Sequence, residues 1–380
     1  MRAIARRLRL PLLTALAAAL SGCGGSLKYV LVQGYSQLDM LAHSEPIADV
    51  LARDTLDAET RRKLTLVVQA RDFARDTLGL TVGDSFQLFH DTAGRPIAYN
   101  LSASRQDRFE PYAWTFPIVG RIDYLGFFSQ ADAEAAAADL QRRGYDTFTY
   151  AVNAYSTLGW FPDPLQSTLL NEWDGELAET VIHELAHNTV YVSGNSTFNE
   201  SLATFIGQTG VELFFAQQGA AGETTIAALR TRHADATLLN AWLIGLYDDL
   251  SAYYARDPGQ QACRRPSREA GSAAAEKIAG REAVFQAARD RFVRDVQPRL
   301  AEPDRYAGWA RIPTSNAFVL ANRRYNLDLD VFAAVYAGTG GDFAAFLDVL
   351  WAAAASDDPF AYLQNVAPPA PAQPAAPRSP

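Results

Sequence analysis

The chain has 380 residues, carries 34 basic against 43 acidic side chains for a net charge of −9, and is 48% apolar. Its length can bury a sizeable core, in one elaborated domain or two subdomains. The acidic balance excludes a nucleic-acid binder of the usual basic kind.

At the N-terminus, Arg2, Arg6, Arg7 and Arg9 precede an apolar stretch from Leu10 to Leu20 that is too short to span a bilayer. Leu20-Ser21-Gly22-Cys23 then resembles the cleavage box of bacterial lipoprotein signal peptides. The resemblance implies a signal peptide over residues 1–22 and lipid on Cys23, which begins a tether over residues 23–33. Gly24 is not the Asp that holds such proteins in the inner membrane, so an outer-membrane anchor facing the periplasm is expected in a Gram-negative source. No later apolar run is long enough to cross a membrane, so a soluble, tethered body is expected. Cys263 would then have no cysteine partner, and it reads as an incidental loop residue.

Residues 34–365 form the body. Leu38, Leu41, Ile47, Val50, Leu51, then Leu64, Val67, Val68, Ala70, Phe73 and Leu78 recur at helical spacing, so residues 34–80 read as helical. Residues 86–89, 96–101, 121–128 and 147–152 read as strands, with a helix over 131–143. From Leu177 to about Ala355 the pattern is helical. The Pro/Ala-rich tail, 366–380, reads as disordered. Helix, sheet and then helices is an α+β order, rich in helix. The part at 34–175 mixes helix and sheet, and the part at 176–365 is helical.

The chemistry is concentrated in His183-Glu184-Leu185-Ala186-His187. Leu177, Val181, Leu185, Ala186 and Val190 recur at helical spacing around it, and residues four apart lie one turn above each other. His183 and His187 can therefore meet one metal ion, with Glu184 aimed beside it as a general base. Catalytic zinc usually takes three protein ligands, and Glu200, thirteen residues after His187, is the best third candidate. Glu172, Glu176 and Glu179 are its rivals. Ser193 to Thr197 is a turn cluster, and Asn199 is a candidate N-cap for a second helix.

Together these parts resemble the gluzincin pattern, in which HExxH is followed by a helix containing Asn-Glu, as in thermolysin and the aminopeptidase-N family. The interval from His187 to Glu200 is shorter than in either. Thr204 stands where thermolysin-like enzymes have an acidic residue that buttresses a ligand histidine. The chain is more similar to a bacterial family of predicted aminopeptidases, often lipoproteins. That resemblance rests on Gln33-Gly34-Tyr35, Gln37 to Leu41, Ile47 to Leu51, Arg71 to Ala74, Tyr112 to Pro117, Ala154 to Phe161, the HExxH helix and Phe198-Asn199-Glu200.

The resemblance implies a zinc-dependent peptidase, with one zinc per chain and a peptide substrate. A small sheet would pack on the HExxH helix, and its edge would bind substrate backbone. Ser156, Thr157 and Gly159 are the expected edge residues. Tyr325, then Tyr155, are the candidates to stabilise the oxyanion; His233 reads as a surface residue, and His43 and His90 as structural. An aminopeptidase needs a carboxylate for the free α-amine, and Glu172, Asp174 and Glu176 are candidates. The alternatives are a zinc endopeptidase of the envelope, or a catalytically silent, zinc-stabilised lipoprotein that binds peptides.

Overall fold

A computed structural model describes residues 24–116, 120–152, 162–255, 268–323 and 329–368. Its first helix, α1 (Gly24–Ala42), runs over residues expected to form the tether and on into the body. Tyr29 accounts for the order. Its ring lies 5.8 Å from Phe116 and 5.5 Å from Phe127, and its hydroxyl donates to the Gly126 carbonyl. The expected helical stretch at 34–80 is broken after α1 by β1 (Glu45–Pro46), then resumes as α2 (Ile47–Leu51) and α3 (Ala58–Asp76). Asp57 caps α3 by accepting from the Thr60 amide at 2.9 Å.

The strands follow: β2 (Leu88–His90), β3 (Ala98–Arg105), β4 (Trp114–Phe116), β5 (Gly120–Ile122) and β6 (Tyr124–Phe127). Then come α4 (Gln130–Arg142), β7 (Tyr145–Val152) and β8 (Leu165–Gln166). The rest is helical apart from short 3-10 and π turns: α5 (Asp174–Thr189), α6 (Ser196–Ala216), α7 (Ala220–Ala255), α8 (Arg268–Arg291), α9 (Asn316–Arg323), α10 (Leu329–Gly338), α11 (Phe343–Ala354) and α12 (Pro359–Val366). The protein is α+β and helix-rich. No helix among the described residues is long and apolar enough to cross a membrane.

Among the described residues three sheets form, ordered β1-β2-β8, β6-β3-β7 and β4-β5. The single strand expected at 121–128 is two, in different sheets. The chain bends at Asp123, so β5 pairs with β4 while β6 pairs with β3. In the β6-β3-β7 sheet both neighbours run antiparallel to β3. Leu101, Ala103, Leu125 and Phe127 of this sheet bury against Ala133, Ala137 and Leu140 of α4. From β7, Phe148 meets Phe318 of α9 edge-on at 5.0 Å.

A larger core is shared by α3, α5, α6, α10, α11 and α12. Each fully buried Leu or Phe there contributes roughly 1.5–3 kcal/mol. The HExxH helix, α5, therefore packs among helices. Of the strands, β2 and β8 reach its core, through Phe89 and Leu165. The small β1-β2-β8 sheet thus shares the core of α5, whereas the β6-β3-β7 sheet has a separate core under α4.

Candidate metal centre

The helix α5 buries Leu177, Ala178, Val181, Ile182, Leu185 and Ala186 at 0–1% exposure. These positions recur every three or four residues, which leaves the other side of the helix to Glu176, Glu179, Thr180, His183, Glu184 and His187. Its N-terminus is fixed to α3 by Asp174, which pairs with Lys63 at 2.9 Å and with Arg62.

The chain then reverses and returns as α6. The N-cap is Asn195, whose side chain accepts from the Phe198 amide at 3.1 Å. Asn199, the cap expected from the sequence, lies inside the helix and does a different job. Its side chain accepts from the Val192 amide at 2.8 Å and donates to the Val192 carbonyl at 2.9 Å. This clamp closes the reversal one residue before Glu200. Close approach of the two helices needs Gly207. A Cβ there would stand 3.2 Å from His183 Cβ and 3.3 Å from the Glu179 carbonyl.

His183, His187 and Glu200 come together, with one ligand atom from each lying within 4.8 Å of the others. Glu200 Oε2 is 3.6 Å from His183 Nε2 and 3.5 Å from His187 Nε2. These separations are long for hydrogen bonds. Four tetrahedral ligands around an ion at 2.0–2.1 Å stand about 3.4 Å apart, so the donor set fits a shared metal ion. The two rings are nearly perpendicular, at 83°, with centroids 5.0 Å apart. Glu200 and His187 are buried and His183 is half-buried.

Burial acts to raise the Glu200 carboxyl, but the imidazoles of His187 and His183 outweigh it and hold it well below the usual carboxylate range. Glu184 behaves oppositely. Burial, with smaller contributions from the charges of Glu200, Asp163 and Glu172, pushes it up to about 7 against the pull of His183. A carboxyl poised there can accept and return a proton near neutral pH.

A family model described as "Putative aminopeptidase" matches residues 28–358. The chain belongs to that family. No curated protein and no solved structure matches it.

Within this family member, the rivals to Glu200 and the candidate amine anchors resolve by their partners. Glu176 pairs with Arg232 at 2.8 Å and with Arg305. Asp174 is held by Lys63 and Arg62, as above. Glu179 accepts from His233, with Oε2 to Nε2 at 3.0 Å. His233 is thus half-buried against the helix of the HExxH motif rather than a plain surface residue. Glu172 accepts the Thr180 hydroxyl at 3.1 Å, and burial pushes its carboxyl up to about 7. Thr180 is one turn before Glu184, which places Glu172 at the head of the site.

Tyr155, Ser156, Thr157, Gly159, Tyr325, Cys23 and Cys263 lie outside the described residues. Thr204 is half-buried one turn past Glu200 on α6. His43 is bound to the Asp39 carbonyl at 2.7 Å and His90 lies 3.4 Å from Ser44 Oγ, away from the metal centre. The sequence reading missed Tyr191, in the α5–α6 turn. Burial and the charge of Glu200 raise its phenol, so it remains a hydrogen-bond donor at neutral pH.

Proposed function

We propose that this protein is a zinc-dependent peptidase that removes N-terminal residues from peptides. The observation that carries the reading is the convergence of His183, His187 and Glu200 with Glu184 alongside. Membership of a family described as putative aminopeptidases supports the substrate class. Two imidazoles and a carboxylate are a donor set that suits zinc. Zinc held by these residues would supply a Lewis acid that polarises the scissile carbonyl and makes a water more acidic.

The chain's own residues supply the rest. Glu184 takes the proton of the attacking water and returns it to the nitrogen of the leaving amine; a pKa of about 7 suits both directions. Tyr191 is a described donor near Glu200 that can hydrogen-bond a developing oxyanion, alongside the sequence candidates Tyr155 and Tyr325. Glu172 is the amine anchor that best fits, because Asp174 and Glu176 are already neutralised by cations. A substrate ammonium would supply a charge partner for Glu172, which has no salt bridge among the described residues. Ser156, Thr157 and Gly159 remain proposed backbone-binding residues. The lipobox supports attachment through Cys23 to the outer membrane, facing the periplasm.

Purified protein lacking residues 1–23 tests the proposal. Elemental analysis should give about one zinc per chain, and aminoacyl fluorogenic substrates should be cleaved until chelator is added. Cleavage of neither free nor N-blocked peptides by the zinc-loaded protein would sink the peptidase reading. Cleavage of N-blocked peptides alone would make it an endopeptidase.

A further inference from the structure

A cavity of about 190 Å³ is walled by Ser102 and Ala103 of β3, Asp123, Thr197 of α6, and Leu320 and Arg323 of α9. Taking about 30 Å³ per water, it has room for several waters or a small residue. Thr197 is three residues before Glu200 on the same helix, so the two share a side of α6 with Cβ atoms about 5–6 Å apart. The cavity therefore adjoins the ligand set.

Arg323 is its distinctive wall. The guanidinium carbon lies 4.2 Å from the centroid of the Tyr247 ring, which fixes the plane of the group. Its Nε is buried and meets no acceptor, and Arg323 makes no salt bridge among the described residues. The carboxylate on the same wall, Asp123, faces Arg121 at 3.6 Å. A buried N–H without an acceptor costs about 1–3 kcal/mol, and a planar guanidinium matches a carboxylate through two parallel hydrogen bonds. The arginine is thus held in place by Tyr247, with no acceptor for its Nε among the described residues.

We propose that this cavity is a carboxylate subsite, in which Arg323 receives a carboxylate of the peptide within one or two residues of the scissile bond. An extended residue spans about 3.3–3.6 Å, so a subsite this near the ligands reaches only the adjoining residues. The substrates are then short peptides with a free C-terminus, or peptides carrying an acidic side chain beside the scissile bond. This rests on the peptidase reading for its substrate, but its binding test does not.

Hydrolysis of leucylglycine, leucylglycinamide and leucylaspartamide should be compared in the wild type and in Arg323→Gln. The wild type should favour the free acid over the amide by about tenfold in kcat/KM, through KM, and Arg323→Gln should abolish most of that ratio. Arg323→Lys should keep part of it. Leucylaspartamide as good as leucylglycine shows that the site takes a side-chain carboxylate as well as a C-terminal one; as poor as leucylglycinamide, that it takes the C-terminal one alone.

Separately, N-acetylglycine and N-acetylglycinamide are titrated calorimetrically onto the metal-free protein. Binding of the acid alone, lost in Arg323→Gln, supports the subsite even if no peptide is hydrolysed, in which case the peptidase reading fails by itself. Hydrolysis with equal acid and amide constants in the wild type overturns the subsite and leaves the peptidase reading standing. N-acetylglycine binding that is absent, or unchanged in Arg323→Gln, also overturns it. Should Arg323→Gln not fold, the acid-against-amide comparison in the wild type still decides.

Discussion

Two buried charged clusters among the described residues are built in opposite ways. In one, Arg281 grips Asp146 through two bonds of 2.5 and 2.8 Å, and the Asn316 amide donates to the same carboxylate at 2.7 Å. Asn316 accepts the Tyr254 hydroxyl at 2.9 Å and donates to the Arg105 carbonyl at 2.9 Å. Charge meets charge and, Arg281 Nε apart, the partners are within the chain. The cluster joins β7 to α8 and α9. In the other, Glu200 stands 3.5–3.6 Å from two imidazoles, close but not bonded. Glu184 beside it is buried with a raised pKa. The first cluster is closed and holds the fold together. The second is open, with three donor atoms within 4.8 Å of one another, and could hold a metal ion.

Breaking each cluster should therefore give different symptoms. Glu184→Gln should have the largest effect, a loss of about 10²–10⁴-fold in kcat with zinc content unchanged, read by kinetics and elemental analysis. Loss of zinc in that variant would mean Glu184 belongs to the ligand set. Arg281→Met should destabilise by about 3–5 kcal/mol, because Asp146 is left buried and unpaired. Denaturant unfolding reads this, and the zinc content of the folded fraction should not change.

Asn199→Ala removes both bonds that clamp Val192 and should cost about 1–3 kcal/mol. Because the clamp abuts Glu200, metal affinity should fall as well, which no variant of the closed cluster should reproduce. The smallest effect concerns Glu172. Its folded pKa, raised to about 7 mainly by burial, means the folded state holds a proton that the unfolded state has released. Its contribution to stability is full below about pH 4.5 and is lost as pH rises through about 7. Thermal unfolding of the metal-free protein should show this slope, and Glu172→Gln should flatten it by on the order of 1 kcal/mol. An unchanged slope would show that Glu172 is not the buried acid described above.

The open cluster was the more legible of the two in the sequence. His183, Glu184 and His187 are four residues or fewer apart on one helix, and a helix turns spacing directly into shared direction. Glu200 follows after one tight reversal, although the cap residue was misplaced because Asn195 and Asn199 are equally good caps in isolation. What the sequence could not convey is who approaches from elsewhere. His233 reaches Glu179 from α7, and Arg323 stacks on Tyr247 from α9, so neither relation has a spacing to read. The strand at 121–128 failed for a related reason. Alternation specifies which side faces the core, not which of two sheets the strand joins. The helix at Gly24–Ala42 is a tertiary effect, fixed through Tyr29 on Phe116 and Phe127.

The reversal clamped by Asn199 also bears on how the molecule folds. It brings all three ligands onto neighbouring helices within residues 183–200. Closing so short a loop is fast and entropically cheap. The closed cluster instead joins Asp146 to Asn316, 170 residues apart. Contacts of that separation form slowly, after much of the chain is already ordered. The hairpin that carries His183, His187 and Glu200 can thus take shape as a local unit ahead of the β7–α9 junction, so an ion offered during refolding would meet these side chains before the rest of the molecule has closed around them.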